Sequence, residues 1–115
     1  MIRIVRDAHT TAGFLLQLGD EGYGLMLGIL NEAINGIRVD YPSDVRDRLG
    51  ELYRLLQTNK GTDLCLDSAA LGAFGTACRV VLRELGPEEF GTRVGVSWRD
   101  ANAILSSVLA GDWSA

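Results

Sequence analysis

The stretch Asp63-Leu64-Cys65-Leu66-Asp67-Ser68, continued through Ala69 to Leu85 and closed by Gly86-Pro87, decides the fold. Asp63 to Leu66 is a short run of strand character. Leu71, Phe74, Cys78, Val81, Leu82 and Leu85 then recur at the 3.6-residue period of an amphipathic helix. Asp67 or Ser68 supplies the N-cap, and Gly86-Pro87 supplies the stop. A strand that runs straight into a long helix is therefore expected at the centre of the chain.

Working back toward the N-terminus, the same order of elements recurs. Leu16-Gln17-Leu18 lies over Leu64-Cys65-Leu66, and at that offset Tyr23 meets Leu71, Leu30 meets Cys78, Ile34 meets Leu82 and Ile37 meets Leu85. After a three-residue slip, Arg48-Leu49-Gly50 meets Arg93-Val94-Gly95. The overlay predicts two β-α-α units, residues 14–58 and 62–109, related by a pseudo-twofold axis near the two strand copies. Few residues are identical, and any two amphipathic β-α segments would align their apolar positions.

Ile2 and Ile4 alternate with Arg3, Asp7 to Gly13 supplies a turn, and Phe14, Leu16 and Leu18 resume the period of two, so the N-terminus reads as a β-hairpin. Asp20 is the expected N-cap of a first helix with its apolar stripe at Tyr23, Leu27, Leu30, Ile34 and Ile37, widened by Met26 and Ala33. Asn35-Gly36 is the expected stop, with Gly36 left-handed. Gly24 and Gly28 share a face and predict close approach of another element. Ser43 is the expected cap of a second helix bearing Val45, Leu49, Leu52 and Leu56 and ending at Asn59-Lys60-Gly61. Beyond Pro87 a short helix runs to Val94, Gly95 breaks it, and Ser97 caps a final helix with Ala101, Ile104, Leu105 and Val108 inward. The tail from Gly111 to Ala115 carries Trp113, which either folds back or meets a partner. The fold class expected is α+β: one domain over residues 1–115, with a small antiparallel sheet (the N-terminal hairpin plus one strand) packed by four to five helices.

Composition narrows the function. Eleven basic and fifteen acidic residues leave a net charge of −4, unfavourable for a generic polyanion binder. No apolar run reaches the roughly 18 residues of a membrane span, and the N-terminus meets charge too early for a signal peptide. Two cysteines, Cys65 and Cys78, make neither a disulfide framework nor a zinc site, and both read as inert packing residues of a reducing, cytoplasmic protein. The single histidine, His9, sits in the hairpin turn with no serine nucleophile near it in sequence. Asp44 and Asp47, like Glu88 and Glu89, suit first helical turns, where carboxylates complement the dipole. Gly19-Asp20-Glu21-Gly22-Tyr23-Gly24 puts two acids where a phosphate would sit. No catalytic residue, metal ligand or cofactor is expected, and the chain does not read as an enzyme.

Pro87 to Leu105 resembles the helix-turn-helix segment of bacterial DNA-binding proteins. The resemblance rests on Gly91 in the first helix, Val94-Gly95-Val96-Ser97 at the turn, and Ala101 and Ile104-Leu105 in the second helix. It implies that Ser97, Trp98, Arg99 and Asn102 read bases and that Arg93 touches phosphate, in a DNA-binding regulator built on residues 87–109. Charge opposes this: from Arg79 onward four basic residues (Arg79, Arg83, Arg93, Arg99) face five acidic ones (Glu84, Glu88, Glu89, Asp100, Asp112). The preferred expectation is a non-catalytic protein–protein interaction module, with Arg93, Ser97, Trp98, Arg99 and Asn102 as candidate partner-binding residues, since a Trp/Arg pair is a common interface anchor. The partner is another protein of basic character, as for an immunity-type inhibitor of a bacterial toxin, or a second copy of the chain; nucleic acid ranks below both, and no membrane is expected.

Overall fold

A computed structural model describes residues 2–6, 13–59 and 63–111. It is an α+β fold in which a three-stranded antiparallel sheet packs against five helices. The order is β1 (Arg3–Arg6), β2 (Phe14–Gln17), α1 (Gly19–Asn31), a π-helical turn (Glu32–Gly36), α2 (Ser43–Thr58), β3 (Leu64–Leu66), α3 (Ser68–Val94), α4 (Trp98–Ile104) and α5 (Ser106–Ala110). The sheet runs β1-β2-β3, so β2 is central and β3 is an edge strand. Ile4 pairs with Leu16 and Leu16 with Leu64, while Arg6 pairs with Phe14 and Phe14 with Leu66. Leu16, Leu64 and Leu66 are buried, with Ile4 and Phe14 packed against the same core. These residues form the inner face. Leu16 and Leu64, equivalent in the sequence overlay, face each other directly. Ile34 is exposed where its counterpart Leu82 is buried, so the two units differ in what they cover.

The long helix expected after β3 forms the centre of the molecule. Asp67 caps it, accepting a hydrogen bond from the Ala70 amide at 2.7 Å. Leu71, Phe74, Cys78, Val81, Leu82 and Leu85 are all buried, and α3 packs against α1, α2, α4 and α5. It bends at Gly86, whose φ of 69° and ψ of 178° lie in a region only glycine adopts without strain. Pro87 then opens the last turns, which end at a left-handed Gly95 (φ 86°). Ser97 caps α4 through the Asp100 amide at 3.0 Å, and Ala101, Ile104, Leu105 and Val108 are buried as expected. The final helix is interrupted, however: Leu105 (φ −90°, ψ 5°) separates α4 from α5.

The first helix departs most from expectation. Asp20 lies inside its first turn and does not cap it; the preceding residue, Leu18, makes no side-chain cap bond. The buried face is Gly22, Leu25, Met26, Ile29, Leu30 and Ala33, about one residue round from the expected stripe, with Tyr23 and Leu27 half-buried at its rim. Gly28 does permit a close approach, since an added Cβ would lie 2.9 Å from Cγ1 of Val94; Gly24 meets nothing, and Gly22 plays the second part against Ile2. Gly36 is not left-handed. A side chain there would fall on the Glu32 carboxylate and the Arg93 guanidinium, so close approach selects glycine. Ser43 opens α2 without capping it, as Pro42 occupies the cap position. His9, Lys60, Gly61, Trp113 and most of the hairpin turn lie outside the described residues.

Candidate functional site

The five residues nominated from sequence have unequal freedom. Arg93 grips Glu32: its Nη2 lies 2.8 Å from Oε2, and its Nε donates to Oε1 at 3.2 Å. The same Nη2 donates to the Gly36 carbonyl at 3.2 Å, and Nη1 stands 3.5 Å from Glu89 Oε1. Ser97 is committed to its cap. Trp98 is half-buried against the core, and its indole Nε1 donates to the Leu82 carbonyl at 3.1 Å. Asn102 donates to the Trp98 carbonyl at 2.8 Å. Arg99 is exposed and, unlike Arg93, forms no ion pair among the described residues. The Ser97 and Asn102 bonds are local to α4, Trp98 ties α4 to α3, and Arg93 ties the end of α3 to the turn that follows the first helix.

A different surface is left open. Side chains alternate along a strand, so the residues between the inner-face rows point away from the helices. Across the sheet this outward row is Val5, Leu15 and Cys65, paired in register. Val5 is 41% exposed, Leu15 is half-buried but outside the core cluster, and Cys65 is exposed. Cys65 is therefore not the packing residue expected from sequence. Cys78 is: it is buried, and that burial pushes its thiol pKa well up.

At the edge of the sheet the row ends beside a cleft of about 380 Å³. α2 lines it through Arg48, Glu51, Leu52 and Leu55, and β3 through Cys65 and Leu66, continued by Asp67 and by Ala70 of α3. Sequence reasoning overlooked this site because it joins segments whose proximity depends on sheet order. The available signal was the pattern Asp63-Leu64-Cys65-Leu66-Asp67, in which period two already puts Asp63, Cys65 and Asp67 on one side and the two leucines on the other. Among the described residues no three His, Cys, Asp or Glu side chains gather as a metal ion requires, and no helix is long and apolar enough to cross a membrane. Comparison with protein-family models, curated proteins and solved structures finds no match for this chain.

Proposed function

We propose that this protein is a non-catalytic protein–protein interaction module of the cytoplasm that meets its partner with the side of the sheet turned away from the helices. The observation that supports this is the outward row Val5–Leu15–Cys65, apolar across all three strands and packed under no helix among the described residues. Uncovered apolar surface rimmed by polar groups is characteristic of interaction sites. The net charge of −4 favours a basic partner, and an immunity-type inhibitor opposing a basic toxin is the specific form of that reading. DNA binding through residues 87–109 draws on side chains that, Arg99 apart, have intramolecular duties, and it gains no observation of its own.

The test is photocrosslinking in cells that naturally make the protein, with p-benzoylphenylalanine at Leu15 or at Arg99. A discrete protein adduct from position 15, lost when Val5→Glu is added, is expected. An adduct from position 99 alone, or retardation of random duplex DNA at low salt, would overturn the proposal.

A further inference from the structure

We infer that the cleft beside β3 accepts an extended segment of the partner protein as a fourth strand, carrying a basic residue at each end of an apolar triplet. This rests on the reading of the sheet side as the interaction surface and gives it a site and a ligand chemistry. Four observations lead to it.

First, β3 is an edge. Nothing among the described residues pairs with its far side, and an edge strand presents alternate N–H and C=O groups for pairing. Second, a cleft opens at the C-terminal half of that edge: Cys65, Leu66 and Asp67 line it, followed by Ala70 in the first turn of α3. Third, the opposite side of the cleft is Arg48, Glu51, Leu52 and Leu55, a single stripe of α2 about 10 Å long, the length of three strand residues.

Fourth, the chemistry alternates. On the inner side an added strand would meet Leu66 together with Leu52, Leu55 and Ala70. On the outer side it would run past Asp63, Cys65 and Asp67, so exposed carboxylates flank the three-residue ladder at both ends. Glu51 joins Asp67 as a second carboxylate lining the cleft, and Arg48 is the one guanidinium there. An antiparallel strand of pattern basic–apolar–apolar–apolar–basic places its cations on Asp63 and Asp67 and its central residue beside Cys65. The opposite edge, β1, carries exposed Arg3 and Arg6 and repels such a segment.

Disulfide capture tests both register and charge. Two peptides of equal composition and charge, GKVCVKG and GKCVVKG, are each activated as the 2-pyridyl disulfide. The Cys65 thiolate attacks the peptide sulfur, the activated S–S bond breaks, a Cys65–peptide S–S bond forms, and pyridine-2-thione leaves with the electron pair. Its absorbance reports the rate, and buried Cys78 stays silent. The centred peptide should react roughly tenfold faster than the shifted one, through a raised effective concentration at Cys65. Asp63→Asn/Asp67→Asn, which keeps a competent helix cap at 67, should abolish most of that preference. Equal rates for the two peptides, or an unchanged preference in the double variant, would overturn the inference. So would concentration-dependent self-association that the double variant abolishes, since a second copy would then hold the edge. If capture fails while crosslinking from Leu15 still yields an adduct, the cleft is wrong and the interaction module stands; if crosslinking fails as well, both readings fall.

Discussion

Replacing Arg93 by Met should destabilise the protein by about 2 kcal/mol. Breaking a fully buried ion pair by removing one partner costs about 3–5 kcal/mol, whereas an exposed pair is worth about 0–1. The Glu32–Arg93 pair lies between these limits: the Glu32 side chain is 9% exposed and that of Arg93 33%. The Met variant keeps the aliphatic stem but leaves the largely buried Glu32 carboxylate without its cation. Loss of the contact to Glu89 adds little, because that side chain is 57% exposed and 3.5 Å away. For a domain of this size about 2 kcal/mol is a drop of roughly 8 °C in Tm. Urea unfolding of wild type, Glu32→Gln, Arg93→Met and the double variant measures it. The double variant should be more stable than Arg93→Met, because it leaves no buried charge unpaired. Gly36→Ala should be destabilising in the wild type, where the new Cβ meets the Glu32 carboxylate, and less so beside Glu32→Ala, where only the end of the flexible Arg93 side chain must move. If Arg93→Met stays within about 0.5 kcal/mol of wild type, or Gly36→Ala costs the same in both backgrounds, the assigned role of this pair is wrong.

Three further outcomes are expected. Burial raises the Cys78 thiol pKa above its value in the unfolded chain, so its contribution to stability is complete below about pH 9 and lost above it, at about 1.4 kcal/mol per pH unit; urea midpoints from pH 8.5 to 10 should fall in the wild type and flatten in Cys78→Val, and equal slopes would refute this. The Tyr41 hydroxyl is buried with no hydrogen-bond partner among the described residues, and desolvation raises its pKa. Tyr41→Phe should therefore be neutral or stabilising by about 1 kcal/mol, and thermal melts showing a comparable loss would contradict the assignment. Gly86→Ala should cost about 1–3 kcal/mol by calorimetry because of its positive φ, and no loss would mean that the bend is not held at that residue.

The elements with one clear period were legible in the sequence: the hairpin, the strand at Leu64–Leu66, and the six inward positions of α3 all lie where periodicity puts them. The first helix was harder because Leu25, Met26, Leu27, Ile29 and Leu30 make it apolar around much of its circumference. Pattern alone then cannot choose which face turns inward. Contact with α2 and α3 decides, leaving Tyr23 at the rim, where its hydroxyl donates to the Leu56 carbonyl at 2.9 Å. Gly36 was read by the general preference for left-handed glycine after a helix, but the deciding contact comes from Arg93, far away in sequence. The same contact explains a buried carboxylate at Glu32 that no local pattern announces. Trp98 and Arg99 read in the sequence as an interface anchor pair, yet the indole N–H is spent on Leu82, a contact that forms only because α4 packs on α3.

The charges on the two sheet edges bear on which occupant β3 can take. Edge strands invite pairing with other chains, and natural proteins commonly prevent this with charge. Pairing β1 with its own copy sets Arg3 and Arg6 against identical arginines, and pairing β3 with its own copy sets Asp63 and Asp67 against identical carboxylates; like charges opposed across strands are destabilising. Only β1 against β3 is electrostatically favourable, and it would build an open head-to-tail chain of copies. That contact meets an obstacle: the arginines are three residues apart, on opposite faces of β1, where the carboxylates are four apart, on one face of β3. A foreign segment with its cations four residues apart has no such mismatch. Charge and spacing thus disfavour a copy of this chain at the β3 edge and favour a basic segment of another protein, and the register of Asp63 and Asp67 specifies where its cations must fall.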